Sequence, residues 1–436
     1  MTMTIFEISS VLIVLAAAFG WINHIVLRLP PTIGLVVMGL AASLGAMGLD
    51  WAIPGLTLVA DLRAFVAGID FYEALMNGML GFILFAGALH VNFSDLADEK
   101  WMVILTATIG LLISTFIIGF ALYWLAGIPF IVALVFGSLI SPTDPVAVLG
   151  MLKTIRVPRQ LQTKIAGESL FNDGVAVVVF LILAAIAFGS DGGETGVADV
   201  ARLFVKEALG GALLGAAAGW FTCQLLARVD EYVLEVLMTI ALVMGTYALA
   251  MALHMSGPIA VVLAGLLIGN SGFKYGMSER TRLHVERFWD LIDEILNAAL
   301  FLLIGIEVLA IPFERESSRV VLAAVPLVLL ARVIAVGAPM AVLARRQTFS
   351  PGTLPILVWG GLRGGISVAL ALSLPESEYK PVILAATYVV VIFSIIVQGL
   401  TMAPVINHFG PKAAREEALD RAGDGGQSSA EPSRES

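Results

Sequence analysis

Residues 167–180 read GESLFNDGVAVVVF, a stretch in which two carboxylates precede a run of apolar residues. The whole chain is apolar: 59% of its 436 residues are hydrophobic and 14% are charged, whereas soluble domains carry about 25% charged residues. This composition predicts an all-α polytopic membrane protein. Glu168 and Asp173 are therefore expected to lie within a membrane-spanning helix.

Hydropathy and helix length divide the chain into thirteen predicted spans, each near the roughly 20 residues that cross a bilayer. No basic region precedes the first apolar run, so we expect a retained helix rather than a cleaved signal peptide. Residues 274–294 mix charges with apolar side chains and are expected to lie along the membrane surface. The polar tail, 410–436, is expected to be disordered. The spans are 5–27, 31–49, 71–91, 101–126, 128–151, 164–189, 203–227, 232–254, 257–270, 290–311, 319–344, 353–375 and 380–409.

Lysines and arginines in the predicted loops indicate the orientation, because cytoplasmic loops carry an excess of basic residues. Thirteen lysines and arginines lie in the loops predicted on one side of the membrane, and six lie in the loops on the other side. We therefore expect the N-terminus outside and the tail in the cytoplasm, and the short loops fit a bacterial inner membrane. The cytoplasmic set is Arg28, Lys100, Lys153, Arg156, Arg159, Lys164, Arg228, Lys274, Arg280, Arg282, Arg287, Arg345 and Arg346. The outer set is Arg63, Arg202, Lys206, Arg315, Arg319 and Lys380.

Four charged residues are predicted to lie deep in the membrane. At about 1.5 Å per helical residue, each is roughly 13 to 20 Å from a membrane face. A charge at that depth costs several kcal/mol unless it is paired or faces water, so these residues are functional candidates. The alternative is that they pair only with one another and hold the bundle together. The four are Asp144, Asp173, Arg332 and Arg363.

Helical geometry separates the polar side chains of residues 167–180, because successive residues are about 100° apart. Ser169 and Asp173 share one face of the helix. Glu168 and Asn172 share another, so the two carboxylates point about 140° apart. We therefore expect Glu168 to face a fixed positive charge. The other three side chains are expected to present oxygen atoms to a cavity.

Two predicted spans contain helix-breaking residues at mid-depth. In span five, SLISPTDPVAV (138–148) has a proline on either side of Thr143 and Asp144, which removes two backbone donors. In span twelve, WGGLRGGIS (359–367) surrounds Arg363 with four glycines. Close helix packing alone would explain the glycines but not the prolines. Paired interruptions at corresponding positions indicate a transporter built from inverted repeats.

These segments resemble motifs of the NhaP-type sodium/proton antiporters, relatives of the animal sodium/hydrogen exchangers. GESLFNDGVAV (167–177), SPTDPVAV (141–148) and GLRGGISVALAL (361–372) occur in the family's order and spacing. The resemblance implies an NhaA-like antiporter fold over residues 1–409, with inverted repeats and two broken helices crossing near the midplane. It also implies a homodimer. Spans 1–3 and 8–10 would form its scaffold, and spans 4–6 and 11–13 a moving core.

The resemblance further implies a role for each polar residue. Asp173 would be the main carrier of the cation and the proton, and Thr143 would contribute its backbone carbonyl. Glu168 would pair with Arg332, while Arg363 would balance charge in the broken span. The implied cation- and proton-binding set is Asp173, Asp144, Ser169, Asn172 and Thr143, with sodium at Asp173, Asp144 and Ser169.

One position departs from the family pattern. Several microbial members carry an acidic residue in the third span, within a stretch resembling LLFEGAL. Here LFAGALHV (84–91) has Ala86 in that place. Any role of that acid in cation binding or pH response cannot be transferred to this chain.

Charge counting predicts a mechanism without the family. If the three carboxylates are ionised beside the two arginines, the buried set carries one net negative charge, which one proton or one monovalent cation neutralises. The set is Asp144, Glu168, Asp173, Arg332 and Arg363. Burial favours a neutral carboxyl and a nearby arginine favours an ionised one, so Asp173 could bind either ion near neutral pH. A core that moves readily only when its site is neutral would then exchange one cation for one proton electroneutrally.

Several alternatives stay open at this point. Oxygen ligands without a cysteine or histidine cluster favour alkali cations, with sodium first, lithium accepted and potassium as the alternative. A cation channel and a transport-dead sensor are further possibilities. An enzyme is not expected, because HExxH, GxSxG and P-loop motifs are absent from the sequence. We expect no cofactor beyond the transported ions and no nucleic-acid partner. The bilayer is the expected surrounding, and a partner for the tail is unknown.

Overall fold

The computed structural model describes residues 4–53, 56–144, 159–189, 197–310, 318–345, 349 and 352–410. Within them the structure is all-helical, as predicted, and residues 411–436 of the expected disordered tail lie outside them. The fifteen helices are α1 (5–27), α2 (Pro31–Ala52), α3 (Leu58–Ala67), α4 (Phe71–Leu89), α5 (Phe93–Ala126), α6 (Phe130–Ile140), α7 (Arg159–Phe188), α8 (Val197–Leu226), α9 (Tyr232–Ala252), α10 (Gly257–Gly276), α11 (Glu279–Glu307), α12 (Ser318–Leu343), α13 (Thr353–Trp359), α14 (Gly365–Leu372) and α15 (Lys380–Gly410).

Ten of these helices are long and apolar enough to cross a membrane. They are α1, α2, α4, α5, α7, α8, α9, α10, α12 and α15. The other predicted spans correspond to the eleven-residue α6, to α11 with its charged first half, and to the interrupted pair of α13 and α14. The chain is therefore a multi-pass membrane protein, and the count of thirteen spans stays a prediction.

The helix that contains span ten is longer than the predicted span, which starts at residue 290. The helix begins at Glu279, where the hydroxyl of Ser278 accepts a hydrogen bond from the Thr281 N–H. Residues 279–294, predicted to lie on the membrane surface, are the first half of α11. Mean hydropathy does not reveal that one face of this charged segment is buried. On that face Trp289 is 0% exposed and donates to the Thr239 hydroxyl at 3.0 Å.

Span four also begins earlier than the predicted residue 101. The helix begins at Phe93, because the Asn92 side chain accepts a hydrogen bond from the Ser94 N–H at 2.9 Å. Such a cap satisfies a backbone donor that the first turn leaves free. The charged turns that follow have an apolar face on which Leu96 is buried.

Small residues allow α8 to pack directly against α10. Gly211, Gly215 and Gly219 face Ser256, Ala260 and Ala264 at matching intervals of four residues. A Cβ built on Gly219 would lie 3.0 Å from the Ala264 Cα. This close backbone approach is typical of helix pairs in membranes, where small residues bring the two axes together.

The two interruptions lie side by side in the interior. The chain is non-helical between Ile140 and the end of the described segment at residue 144, and again over 360–364. The backbone N–H of Asp144 donates to the Leu362 carbonyl at 2.8 Å, which joins the two breaks directly. The predicted pair of broken helices is confirmed for these segments. The rest of the first break, including Pro145, lies outside the described residues.

Candidate functional site

α7 presents its four polar residues to the protein interior. Glu168, Ser169 and Asn172 are each 2% exposed, and Asp173 is 3% exposed. Burying two carboxylates is costly unless partners compensate for the lost hydration. The partners of these carboxylates therefore decide which of them stay paired and which can bind an ion.

Thr143, in the first break, connects that break to α7. Its hydroxyl lies 2.9 Å from the Ser169 hydroxyl and accepts a hydrogen bond from Asn172 Nδ2 at 2.8 Å. The Thr143 N–H donates to Asn172 Oδ1 at 3.4 Å. Three residues of the predicted cation-binding set thus lie together. Thr143 makes these contacts through its hydroxyl and N–H, whereas the resemblance named its carbonyl.

Asp173 has charged neighbours of both signs. The carboxylate of Asp144 and the guanidinium of Arg363 both act on it electrostatically. Asp144 itself is partly exposed and lies at the junction of the two breaks. The structure therefore brings both predicted deep aspartates and one predicted deep arginine into one interacting group.

Glu168 binds Arg332 of α12 and also acts electrostatically on Arg363. The two guanidinium Nη atoms contact the two carboxylate oxygens, and the Nη2 to Oε2 distance is 2.9 Å. Arg332 Nη2 also donates to the Leu357 carbonyl at 3.1 Å. A two-point ion pair with a further hydrogen bond is an arrangement that compensates for burial of both charges. The pair joins α7, α12 and α13.

The Arg363 side chain donates hydrogen bonds to carbonyl groups at the C-terminal end of α6. Its Nη1 donates to the Ser141 carbonyl and, at 2.8 Å, to the Pro142 carbonyl. These carbonyls have lost their helical partners because the helix stops there. A positive charge at a helix C-terminus is also favoured by the helix dipole. Arg363, 2% exposed, thus fastens the second break to the first.

Four polar residues of this region escaped the sequence prediction. Ser141 donates to the Gly137 carbonyl at 2.6 Å and approaches Ser114 Oγ at 2.9 Å. Ser394 and Gln398 of α15 bind the backbone of the second break. The signal that could have found the last two is their four-residue spacing in an apolar span. A small cavity beside the charged residues is lined by the polar residues Thr106, Ser114, Ser141, Glu168, Asn172, Arg332 and Arg363.

Sequence comparison identifies the family of this fold and site. A family model described as sodium/hydrogen exchanger, transmembrane, matches residues 12–408. The chain belongs to the sodium/hydrogen exchanger family. This confirms the resemblance found in the motifs and places the exchanger among membrane transporters.

Relatives of the exchanger align over nearly all of its length. The Na(+)/H(+) antiporter NhaP of Pseudomonas aeruginosa is 47% identical, with 92% of this chain and 96% of that protein covered. The Na(+)/H(+) antiporter NhaH of Halobacillus dabanensis is 37% identical, with 88% and 93% covered. The solved structure of the sodium proton antiporter MjNhaP1 from Methanocaldococcus jannaschii at pH 8 superposes with a TM-score of 0.70 at 20% identity. It covers 93% of this chain and 97% of its own, and confirms the antiporter fold.

Proposed function

We propose that this exchanger transports Na⁺ and H⁺ in opposite directions, with both ions competing for Asp173. The observation that carries the proposal is the position of this carboxyl group, which is buried beside the first break with Ser169 and Asn172 on the same helix. The relatives named above as Na(+)/H(+) antiporters support sodium over potassium as the cation. Lithium, which prefers the same oxygen ligands, is the expected second substrate.

Oxygen atoms of several kinds would hold the cation. Within the described residues no three His, Cys, Asp or Glu side chains group as a metal site. The proposed ligands are therefore the carboxylates of Asp173 and Asp144 with the Ser169 hydroxyl, assisted by Asn172 and an oxygen of Thr143. Such a mixed set of a few charged and several neutral oxygens suits a weakly bound alkali ion that must also be released.

Charge balance supports exchange of one cation for one proton. Glu168 and Arg332 neutralise each other through their two-point contact. Asp144, Asp173 and Arg363 then leave one net negative charge when both aspartates are ionised. Either ion neutralises this charge, so a site carrying Na⁺ and a site carrying H⁺ would cross the low-dielectric interior at similar cost. The exchange would be electroneutral.

Burial of Asp173 supports an alternating-access mechanism. Only 3% of this residue is exposed, so an ion reaches the carboxylate only after neighbouring helices move. We propose that spans 4–6 and 11–13 move as a core against a scaffold of spans 1–3 and 8–10, in a homodimer. The proposed membrane is a bacterial inner membrane, with the N-terminus outside and the C-terminus in the cytoplasm.

Transport by purified protein in sealed liposomes tests the proposal. An internal pH dye would report proton movement after external addition of Na⁺, Li⁺ or K⁺, with the membrane potential clamped. We expect Na⁺ and Li⁺ to move protons and Asp173→Asn to abolish the signal. Asp98→Asn, the same chemical change at an exposed position of α5, should retain it.

The other outcomes separate the alternatives. Exchange driven by K⁺ but not Na⁺ would assign the potassium alternative. A current driven by potential and far above carrier turnover would indicate a channel. Sodium binding to folded protein without any flux would indicate a transport-dead sensor.

A further inference from the structure

Two polar side chains interrupt the apolar sequence of α15. Residues 389–400 read VVVIFSIIVQGL, with Ser394 and Gln398 four positions apart. They are 0% and 3% exposed, and the turn Ser394–Gln398 is π-helical. Buried polar groups cost free energy unless they are hydrogen-bonded, and π-helical turns are frequent at functional sites. No role in ion binding accounts for these residues.

Their hydrogen bonds reach both ends of the second break. The Arg363 N–H donates to Ser394 Oγ at 2.8 Å. The Ser394 hydroxyl donates to Gln398 Oε1 at 2.7 Å, and Gln398 Nε2 donates to the Trp359 carbonyl at 3.2 Å. Trp359 is the last residue of α13, and Arg363 lies two residues before α14. The network therefore supplies partners for backbone groups that the interruption leaves without helical ones.

The chemistry of these groups fixes the direction of every bond in the network. A backbone carbonyl only accepts, so the Gln398 amide must turn its NH₂ towards Trp359 and its oxygen towards Ser394. The single Ser394 proton is then used on Gln398, which leaves the hydroxyl oxygen to accept from the Arg363 N–H. Neither side chain can be replaced by an apolar one without leaving a buried backbone group unpaired.

The stretch held by this network in turn holds the first break. Arg363 donates through Nη1 to the Ser141 and Pro142 carbonyls, and the Leu362 carbonyl accepts from the Asp144 N–H. Residues 362–363 thus have α15 on one side and residues 141–144 on the other. Thr143, which contacts Ser169 and Asn172, lies within that second segment. Hydrogen bonds and short stretches of backbone therefore connect α15 to the proposed cation ligands.

We propose that Ser394 and Gln398 are positioning residues for cation exchange. They hold the backbone of residues 359–363 so that Arg363 and Leu362 place Asp144 and Thr143 correctly. The hydrogen bonds described above for these two side chains go to backbone groups or to each other, and neither side chain carries a charge. Their loss should therefore weaken cation binding while the net charge of the site stays the same. This inference rests on the proposed Na⁺/H⁺ exchange.

The experiment measures Na⁺-dependent proton flux by the full-length protein in liposomes at several Na⁺ concentrations and pH values. For Ser394→Ala and for Gln398→Met we expect the apparent KM for Na⁺ to rise on the order of tenfold, because the unpaired backbone group disfavours the ion-binding arrangement of residues 359–363. The maximal rate should change less than about twofold, and the pH of half-maximal activity should shift. Ser394→Thr, which keeps the hydroxyl, should restore the KM.

A matched control is available on the same helix. Thr387 is also 0% exposed, but its hydroxyl donates only to the Ile383 carbonyl one turn earlier, at 2.8 Å. Thr387→Ala should leave the KM and the pH profile unchanged. The double variant Ser394→Ala/Gln398→Met should be no worse than the more severe single variant, because both act through one network.

The remaining outcomes decide which of the two proposals is overturned. Wild-type exchange with an unchanged KM and pH profile in Ser394→Ala and Gln398→Met would overturn the positioning role while the proposed function stands. A lower maximal rate at constant KM would indicate a structural role only, and would also overturn it. Absence of exchange by the folded wild-type protein would overturn both proposals. If Ser394→Ala does not fold, Gln398→Met and Ser394→Thr decide the question.

Discussion

The two sides of the broken helices are built from different kinds of contact. On the side of α7, Ser169 and Asn172 contact Thr143 mainly through its hydroxyl, with one longer contact of 3.4 Å from its N–H, and Asp173 adds a charge. On the side of α15, Ser394 and Gln398 bind backbone N–H and carbonyl groups. Side-chain contacts can be exchanged for an ion without unfolding anything. Backbone contacts cannot, because they replace the missing helical hydrogen bonds.

The charged residues show the same division. Glu168 and Arg332 are committed to each other, and Arg332 also binds the Leu357 carbonyl. Asp173 has neighbouring charges of both signs rather than one dedicated partner in this group. We therefore expect substitutions of the committed groups to reduce stability. Substitutions around Asp173 should change transport while the protein remains folded.

Arg332→Ala should have the largest effect on stability. It leaves the Glu168 carboxylate buried without its partner, which typically costs about 3–5 kcal/mol. The thermal midpoint of the purified protein should fall sharply. The double variant Glu168→Gln/Arg332→Gln removes both charges and should recover much of the loss. Equal destabilisation by the single and double variants would show that the ion pair is not a committed part of the fold.

Gly364→Ala should disturb the contact between the two breaks, where Gly364 lies against Asp144. A Cβ at this position would lie 2.7 Å from the Asp144 Cγ, so the carboxylate would have to move. Overpacking of this kind costs about 1–3 kcal/mol, and we expect the apparent KM for Na⁺ to rise with it. Gly337→Ala is the matched control, because nothing lies within 4 Å of a Cβ there. Normal Na⁺ affinity in Gly364→Ala would mean that the Asp144 position does not matter for binding.

Local features of the site were predictable from the sequence because helix geometry fixes them. The divergence of Glu168 and Asp173 follows from five residues of a regular helix. The interruption at Thr143 follows from the flanking prolines, which cannot donate to a helical ladder. In each case the residues involved are close in the chain, so no knowledge of the tertiary structure was required.

Contacts between distant segments were not predictable in this way. Arg363 lies 222 positions from Ser141, and periodicity contains no information about which carbonyls its guanidinium reaches. The partnership of Glu168 with Arg332 came from the family resemblance rather than from spacing. Ser394 and Gln398 were passed over because two polar residues hardly change the mean hydropathy of a span. Their importance depends on unpaired backbone groups 31 and 39 positions away.

Asn172→Asp should change the electrical behaviour of the exchanger rather than its fold. The new carboxylate can accept a hydrogen bond from the Thr143 hydroxyl, which compensates part of the cost of burying it. It adds a negative charge, which one bound cation no longer balances. Proton flux should then respond to an imposed membrane potential, unlike that of the wild type. Flux indifferent to potential, with Na⁺ binding intact, would contradict the charge count.

His90→Gln should have the smallest effect and provides the reference for the others. His90 Nε2 lies 3.0 Å from Asp290 Oδ1, and the two side chains are 47% and 46% exposed. Pairs of this kind contribute about 0–1 kcal/mol, because water solvates both groups when they separate. The thermal midpoint and the pH dependence of exchange should therefore stay close to those of the wild type. A large shift of the pH profile in His90→Gln, with Asp290→Asn giving the same shift, would show that this exposed pair regulates transport. The contacts that control transport would then include one outside the broken helices, between the end of α4 and α11.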